Sequence, residues 1–258
     1  MNPEKVPQVL KTNINLKVLG LILTGVIAFQ TFLYFASEFE GVEDVVSYLS
    51  MSTPLLVAGG SIFIASRYGM SEVFGKSYLF FGIAYFLVFL AEVTYYAYDI
   101  IYEIDPYPSI ADVFFFSLYP LLVLHIVINL RFFRSKTNTK QKAVFIAIPI
   151  IIISIYSIVS LEEIGEPNFD YFYGVIFVSG TSVVLSLAAL GAIVFRGGLL
   201  GIAWLLLLIG VFIFAIGDVW YYYLEIFGEY DLLHPVNLFW YASDWIIVYA
   251  LYKHSKAI

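Results

Sequence analysis

The feature that most constrains this chain is a series of eight long apolar stretches, separated by short polar breaks or breaks containing Pro and Gly. They lie at 16–36, 45–66, 77–101, 110–132, 143–161, 171–195, 199–225 and 236–252. An α-helix needs about 20 apolar residues to cross the hydrocarbon core of a bilayer, and each stretch is close to that length. Only 13% of the residues are charged, whereas soluble domains carry about 25%. The sequence therefore predicts an all-α, multi-pass membrane protein with eight transmembrane helices.

The first apolar stretch follows Lys5, Lys11 and Lys17, as the apolar region of a signal peptide follows basic residues. It is longer than the roughly 7–15 apolar residues of a signal peptide, and "LYFASEFE" offers no cleavage site with small residues. We expect it to be retained as the first helix.

The charges of the chain are segregated between the two sides of these helices. If the N-terminus is cytoplasmic, the inner segments are 1–15, 67–76, 133–142, 196–198 and 253–258. These segments and the adjoining helix ends contain all 13 Lys and Arg, but only Glu4 and Glu72 of the 20 acids. Because cytoplasmic loops are enriched in Lys and Arg, the sequence predicts that both termini are cytoplasmic in a plasma-membrane protein.

The acids also indicate an internal duplication. A shift of 126 positions aligns the third stretch with the seventh without a gap and pairs four carboxylates with four carboxylates. The pairs are Glu92 with Asp218, Asp99 with Glu225, Glu103 with Glu229, and Asp105 with Asp231. After one deletion, Asp112 aligns with Asn237. The first two stretches match the fifth and sixth much less well.

This alignment predicts a four-helix unit repeated in tandem, with both copies in the same orientation because four is even. The expected organisation is a cytoplasmic tail (1–15), a first repeat (16–132), a basic cytoplasmic linker (133–142), a second repeat (143–252) and a cytoplasmic tail (253–258).

Helical geometry places these polar residues on single faces. Residues 7 or 11 positions apart return to within about 20° of the same direction on an α-helix. Glu92, Asp99 and Glu103 therefore share a face of the third helix, and Asp218, Glu225 and Glu229 share the equivalent face of the seventh. On the fourth helix Asp112 lies seven residues before Tyr119, and on the eighth Asn237 lies seven before Asp244. Each repeat thus presents a polar stripe that descends from its outer end.

Carboxylates within a membrane usually face the bundle interior or a water-filled cavity. We therefore predict one outward-facing acidic cavity with aromatic walls. Its candidate ligand-binding residues are Glu92, Asp112, Asp218, Asp244, Asn237, Tyr95, Tyr96, Tyr221 and Tyr222. Asp99, Glu103, Glu225 and Glu229 form a secondary outer set, since acids in these positions are more typical of solvated loops. The alternative for the deep acids is hydrogen bonding that holds helices together.

Carboxylates close together in a partly dry site need a compensating positive charge or bound protons. The occupant can be a cation, an amine-bearing ligand or protons. An all-oxygen site suits a hard cation such as Ca²⁺, whereas the absence of Cys and of clustered His disfavours Zn²⁺. The sequence indicates no organic cofactor and leaves a bound cation or lipid as options.

Several functional classes are excluded or disfavoured by absent motifs. There is no Cys, none of the three His forms an HExxH motif, and no Lys lies at mid-membrane to hold a retinal Schiff base. No phosphate-binding loop, dinucleotide-binding glycine motif or nucleic-acid-binding module is present. These absences favour a protein that is not an enzyme, but a membrane enzyme stays a further alternative, since a carboxylate pair alone can perform acid–base chemistry.

The stretch "AEVTYYAYDIIYEIDPYPSIADVFFFSLYPLL", residues 91–122, resembles a pattern in certain membrane sensory regions. These regions precede diguanylate cyclase, phosphodiesterase or histidine-kinase domains in bacteria and archaea. The pattern is an acid ending one helix, a Pro-x-Pro-Ser loop, Ala-Asp opening the next helix and then Tyr-Pro. The matching residues are Glu92, Pro106, Pro108, Ser109, Ala111, Asp112, Tyr119 and Pro120. The second repeat retains Asp218 but has "LLHPVNLFWYASD" in place of the two prolines.

The resemblance implies a sensor-like module that responds to a ligand or ion. No output domain follows the last helix before Ile258, so we expect signalling through a membrane or cytoplasmic partner. One alternative is an accessory or structural subunit of a larger membrane complex, and another is a small-solute or cation transporter. A cavity open only outward favours sensing, and one continuing past Tyr119 and Asp244 toward His125 favours transport. An apolar groove filled by another chain's helix favours the subunit. Membrane lipids are expected partners in every case.

Overall fold

A computed structural model describes residues 13–39, 41–132 and 138–257 of the chain. The predicted tail residues 1–12, linker residues 133–137 and Ile258 lie outside the described residues. Within the described residues the fold consists of eight α-helices, with a π-helical segment, Ala97–Ile101, that continues α3. The α-helices are α1 (Leu16–Ala36), α2 (Val42–Tyr68), α3 (Val73–Tyr96), α4 (Ile110–Phe132), α5 (Thr139–Ile164), α6 (Phe169–Phe195), α7 (Gly201–Glu225) and α8 (Asn237–Ser255).

The first seven helices are each long and apolar enough to cross a membrane. The eighth helix, α8, has 19 residues and is not among these candidate spans. Polar residues, among them Asn237, Asp244 and His254, lower its mean hydropathy. The prediction of an all-α, multi-pass membrane protein is confirmed at this level.

Local capping explains where several helices begin. The Asn15 side chain accepts a hydrogen bond from the backbone N–H of Lys17 at the start of α1 (3.0 Å). Asn138 and Gln141 form a reciprocal capping box at the start of α5, and Asn168 caps α6 through the N–H of Tyr171 (2.8 Å). These side chains replace the hydrogen-bond partners that the first turn of a helix lacks.

Six of the helices form a closed ring. Each packs against its neighbours in the order α2, α3, α4, α6, α7 and α8, and α8 packs against α2 to close the ring. The main hydrophobic core lies inside this ring and includes the buried side chains of Phe81, Tyr85, Phe177 and Trp204. The ring thus creates an interior that polar side chains from several helices can share.

The other two helices, α1 and α5, lie outside the ring. α1 packs mainly against α8, and α5 packs mainly against α6. In the most apolar 18-residue segment of α1, only 11% of the residues are buried, and the share in α5 is the same. In α2, α3, α4, α6 and α7 the corresponding share is 33% to 56%. Most of the apolar surface of α1 and α5 therefore faces away from the protein, as expected for helices in contact with lipid.

Successive helices alternate in direction, so the bundle has two chemically distinct ends. We call the end where α2, α4, α6 and α8 begin the acidic end, because the described loops there and the adjoining helix ends contain most of the described carboxylates. The opposite end is the basic end. Its described cations are Lys17, Arg67, Lys76, Arg131, Lys140, Lys142, Arg196, Lys253 and Lys256. Lys5, Lys11, Arg134 and Lys136, which the charge analysis assigned to the same side, lie outside the described residues.

Candidate functional site

A cavity of about 100 Å³ lies inside the ring, toward its acidic end. Its lining residues come from α2, α3, α4, α7, α8 and the α7–α8 loop. All nine candidate residues line it: Glu92, Asp112, Asp218, Asp244, Asn237, Tyr95, Tyr96, Tyr221 and Tyr222. Two halves of the chain that are remote in sequence therefore bring these side chains to one space.

Asp218, on α7, is the most fully hydrogen-bonded carboxylate of the cavity. Its side chain is 4% exposed. It accepts hydrogen bonds from the Tyr119 hydroxyl on α4 (2.8 Å) and the Trp240 indole N–H on α8 (3.1 Å). The Thr181 hydroxyl on α6 is also within hydrogen-bonding reach. Four ring helices thus meet at one carboxylate, whose lone pairs are largely occupied by donors of the protein.

Glu92 and Asp244 form a second, less satisfied group. Glu92 on α3 is partly exposed, and Asp244 on α8 is buried. The Thr53 hydroxyl on α2 is within hydrogen-bonding reach of Asp244. Both carboxylates line the same cavity, and its described lining has no Lys, Arg or His to compensate them. Like charges with little water between them are unfavourable unless a positive charge or a proton compensates them.

Asp112 has a structural role in addition to its place in the cavity lining. Its carboxylate accepts a hydrogen bond from the backbone N–H of Ser109 (2.7 Å), and the Ser109 hydroxyl accepts one from the N–H of Ala111 (3.1 Å). This reciprocal arrangement caps the start of α4. The hydroxyl of Tyr173 on α6 is also within hydrogen-bonding reach of Asp112. Part of the hydrogen-bonding capacity of Asp112 is therefore used to stabilise the start of α4.

Asn237 is held by the loop that precedes α8. Its side-chain oxygen accepts a hydrogen bond from the Tyr230 hydroxyl (3.1 Å), and its amide group donates to the carbonyl of Leu232 (2.7 Å). Burial raises the pKa of Tyr230 well above its ordinary value, so its hydroxyl stays protonated and can donate. The loop and the first turn of α8 thus form one wall of the cavity.

The tyrosines play different parts in the walls. Tyr221 makes edge-to-face contacts with Tyr222 and Tyr230, with ring centroids 4.9 Å apart in each pair, and with Trp240 at 5.4 Å. Tyr96 instead donates its hydroxyl to Asp44 at the start of α2 (3.1 Å). Tyr221 therefore belongs to a packed aromatic cluster, whereas Tyr96 links α3 to α2.

The secondary acids lie outside the cavity lining. Asp99 belongs to the π-helical segment, Glu225 is the last residue of α7, and both are partly exposed. Glu103 and Glu229 are exposed, and Glu103 has a positive φ of 53°. None of these four carboxylates is part of the lining that the deep carboxylates share.

Several lining residues were not among the sequence candidates. They include Tyr119, Trp240, Tyr241, Tyr230, Ser47, Ser50 and Thr53. Trp240 and Tyr241 could have been predicted from helical periodicity, since they lie three and four residues after Asn237 and therefore on the same face of the helix. Ser50 and Tyr241 are joined by a hydrogen bond of 2.9 Å between their hydroxyls, which links α2 to α8.

The ionisable side chains that line the cavity include acids but no bases. Its described lining contains four carboxylates and no Lys, Arg or His. Among the described residues, no three His, Cys, Asp or Glu side chains are grouped closely enough to hold a metal ion together. The arrangement therefore attracts positive charge but distributes its carboxylates around the walls rather than around one point.

A second polar cluster lies at the basic end of the ring. The imidazole of His125 pairs with the Ser77 hydroxyl (2.8 Å), and His254 bonds to the hydroxyls of Tyr78 (2.8 Å) and Tyr68 (2.9 Å). These contacts join α2, α3, α4 and α8. A void of about 10 Å³ beside His125 and His254 shares no lining residue with the acidic cavity.

Comparisons with protein-family models, curated proteins and solved structures find no match to this chain.

Proposed function

We propose that this chain is a receptor-like membrane module that recognises a small cation in the acidic cavity. The observation that carries the proposal is the cavity lining, in which four carboxylates, Glu92 and Asp244 among them, have no Lys, Arg or His beside them, so that ionised carboxylates repel one another there without a protein cation to compensate. A bound positive charge would remove that repulsion. The cavity of about 100 Å³ is smaller than the roughly 300–1,000 Å³ of drug-sized pockets, so the ligand must be small.

The ligand class that fits best is a small organic ammonium ion. Its N–H groups can donate to carboxylates on separate walls, and its alkyl part can contact Tyr221, Tyr241 and Trp240. Aromatic faces attract cations by about 0.5–2 kcal/mol each. Directly coordinated Ca²⁺ fits less well, because Ca²⁺ takes six to eight oxygen ligands around one point.

Recognition without transport is supported by the floor of the cavity. Toward the basic end the described lining includes the apolar side chains of Val88, Leu118 and Phe214 besides Thr53, and it stops short of the second polar cluster. Tyr119 and Asp244 line the cavity, but His125 does not. The cavity lies toward the acidic end, which in this proposal is the extracytoplasmic side. A transporter would need a second conformation in which that floor opens.

The proposed tandem duplication is supported by the ring. The duplication matches α2, α3 and α4 with α6, α7 and α8, respectively. Under this match, each pair of neighbouring helices in the ring corresponds to another pair of neighbours: α2 and α3 to α6 and α7, α3 and α4 to α7 and α8, and α4 and α6 to α8 and α2. The polar residues around Asp218 and those around Asp244 also correspond to each other. The first group is Tyr119 on α4, Asp218 on α7 and Thr181 on α6. The second group lies on the matching helices, with Asp244 on α8, Glu92 on α3 and Thr53 on α2. The two helices outside the ring do not follow this correspondence. α1, from the first repeat, packs against α8 of the second repeat, whereas α5, from the second repeat, packs against α6 and α7 of its own repeat.

Two aligned glycines provide independent support for the duplication. A Cβ on Gly75 would collide with the backbone carbonyl of Gly69, and a Cβ on Gly201 would lie 2.9 Å from the carbonyl oxygen of Phe195. Each glycine therefore allows the start of its helix to approach the chain six residues earlier. The same close approach occurs at positions 126 residues apart.

The resemblance to membrane sensory regions favours signalling through a separate polypeptide. In this proposal both termini are cytoplasmic in the plasma membrane, α8 is the eighth span, and binding of the cation changes the packing of the ring. The accessory-subunit alternative is supported by the largely unburied α1 and α5, whose apolar surfaces another membrane protein could cover.

The proposal is tested by thermal unfolding of the purified chain in detergent. Methylammonium and Ca²⁺ are the added probes, each compared with Na⁺ at equal ionic strength. Methylammonium should raise the melting temperature of the wild type by binding the folded state. The double variant Glu92→Gln with Asp244→Asn should not respond, because its cavity no longer attracts a cation. Glu229→Gln, which removes an exposed acid outside the cavity, should respond as the wild type does.

The other outcomes separate the alternatives. If protons alone neutralise the pair, lowering the pH will stabilise the wild type, and the double variant will show a flattened pH dependence without any cation effect. If Ca²⁺ stabilises the wild type more than methylammonium does, the cavity is a metal site. If the double variant matches the wild type under all conditions, the acids only connect helices and the recognition proposal is wrong.

A further inference from the structure

We propose that the groove between α1, α2 and α8 binds an acyl chain of an anionic phospholipid, whose phosphate contacts Lys17 and Lys253. The groove has a volume of about 640 Å³ and is lined by twelve residues, none of them charged. It shares only Tyr241 with the acidic cavity. The site is therefore separate from the proposed cation site, and each can be tested without the other.

The length of the groove matches one leaflet of a bilayer. Its lining extends from Val18 to Phe29 on α1 and from Tyr241 to Tyr252 on α8. Each of these is a rise of 11 residues, which at 1.5 Å per residue is about 16 Å. Half of a hydrocarbon core about 30 Å thick is about 15 Å. One acyl chain can thus follow the groove from the interface to the bilayer centre.

The charges at one end of the groove select the headgroup. Lys17 immediately precedes the first lining residue of α1, and Lys253 immediately follows the last lining residue of α8. The Lys253 ammonium group donates to the carbonyl of Asn13 (3.0 Å) and lies 5.4 Å from the ring centre of Tyr249, which keeps it at this position. The described acid on this side, Glu72, belongs to the α2–α3 connection.

Two hydrogen bonds fix α1 to α8 and to the loop before it, one toward each end of the groove. The Tyr249 hydroxyl accepts a hydrogen bond from the backbone N–H of Asn15 (3.0 Å). At the acidic end, the Gln30 side chain donates to the carbonyl of Leu233 (2.8 Å). α1 is therefore fixed at two points, while Gly25 leaves open space between them: a Cβ at this position would meet no atom within 4 Å.

A second apolar groove provides an internal comparison. It lies between α5, α6 and α7, has a volume of about 450 Å³ and is lined by residues such as Ile152, Phe212 and Trp220. This groove lies toward the acidic end, near Glu162 and Glu163 at the end of α5. It lacks the cations that flank the first groove, so we expect it to hold lipid without preference for an anionic headgroup.

The test uses the full-length chain in mild detergent, with phosphatidylglycerol and phosphatidylcholine that carry the same palmitoyl and oleoyl chains. Native mass spectrometry measures lipids retained, and thermal unfolding measures stabilisation. The wild type should bind phosphatidylglycerol more tightly. Lys17→Gln should reduce this preference about fivefold, since one Lys near an anionic headgroup contributes about 1 kcal/mol. Lys76→Gln is the control, because Lys76 lies at the basic end but away from the groove.

A pair of glycine variants tests whether the lipid occupies the groove. Gly25→Phe fills the groove and should remove the tightly retained phosphatidylglycerol. Gly20→Phe is matched, because Gly20 is also an exposed α1 residue with no atom within 4 Å of a Cβ, but it does not line the groove. It should retain the lipid as the wild type does.

Three results would overturn the proposal. The first is equal affinity of the wild type for the two lipids. The second is undiminished retention of phosphatidylglycerol in Gly25→Phe. The third is a dimer of the wild type that Gly25→Phe dissociates, which would identify a second copy as the occupant. Should Gly25→Phe fail to fold, an unchanged preference of Lys17→Gln for phosphatidylglycerol would overturn the proposal, because Lys17 is exposed and its substitution leaves the core intact.

Discussion

At the scale of single residues, the cavity depends on how its buried carboxylates are satisfied. Asp218 is stable in the bundle interior because donors from α4 and α8 replace the water that an exposed carboxylate would bind. Tyr119 makes the shortest of these recorded hydrogen bonds, at 2.8 Å. The Tyr119 hydroxyl therefore connects α4 to α7 across the ring, in addition to the stacked rings of His125 and Trp204.

Replacing Tyr119 with Phe should remove that connection while preserving the packed ring. We expect Tyr119→Phe to lower the free energy of unfolding by about 1–3 kcal/mol, the usual cost of leaving a buried acceptor with one donor fewer. The measurement is thermal or denaturant unfolding in detergent. Tyr34→Phe is the control, since the Tyr34 ring is 76% exposed. An unchanged stability of Tyr119→Phe would show that the remaining donors suffice for Asp218.

At the scale of helices, α6 approaches the ring interior through glycines. A Cβ on Gly180 would lie 2.6 Å from Cδ2 of Tyr119, and one on Gly191 would lie 2.3 Å from Cζ3 of Trp204. Atoms this close cannot coexist, so the aromatic rings occupy the space that these glycines leave. The position of Tyr119 beside Asp218 therefore depends on a residue that lies outside the cavity lining.

Gly180→Ala tests this dependence. The added methyl group must displace the Tyr119 ring, and overpacking of this kind typically costs about 1–3 kcal/mol. We expect a lower melting temperature, and little additional loss when Tyr119→Phe is combined with it, because both changes affect the same hydrogen bond. Gly59→Ala, on an exposed face of α2 with open space around its Cβ, should be neutral or stabilising by up to about 1 kcal/mol. Strictly additive losses in the double variant would refute the shared mechanism.

The helices could be predicted because span length and apolarity are local properties of the sequence. Each of the eight predicted stretches lies within a few residues of an observed helix. The order of helices around the ring, and the exclusion of α1 and α5 from it, could not be predicted in this way. All eight stretches are similarly apolar, and which of them pack together depends on side-chain contacts between distant parts of the chain.

The cavity residues were predictable to the extent that helical periodicity places them on one face. Asn237 and Asp244 are seven residues apart, and both line the cavity. Trp240 and Thr53 were missed for a physical reason: an aromatic residue near a helix end is typical of the membrane interface, and a single Thr on a helix carries no directional signal. Their importance arises only from the carboxylates that other helices bring to them.

At the scale of the whole molecule, the separation of charge between the two ends is the basis for predicting which side of the membrane the cavity faces. The described basic residues lie at one end of the bundle, and the cavity lies toward the other. If α8 did not cross the membrane, the connection before it and the residues after it would lie on the same side. The orientation of α8 is therefore the critical point for an extracytoplasmic cavity, since Asn237, Trp240 and Asp244 all belong to it.

Single-cysteine variants can decide this orientation, because the chain has no native Cys. Glu229→Cys, in the exposed connection before α8, should react with a membrane-impermeant maleimide on intact cells, as should Ser37→Cys at the end of α1. Lys256→Cys, after α8, and Ser71→Cys, between α2 and α3, should react only after lysis. All four positions are exposed, so burial does not limit the reaction. Labelling of Lys256→Cys in intact cells would place both ends of α8 on the outer side, and the cavity would then lack a membrane-spanning wall.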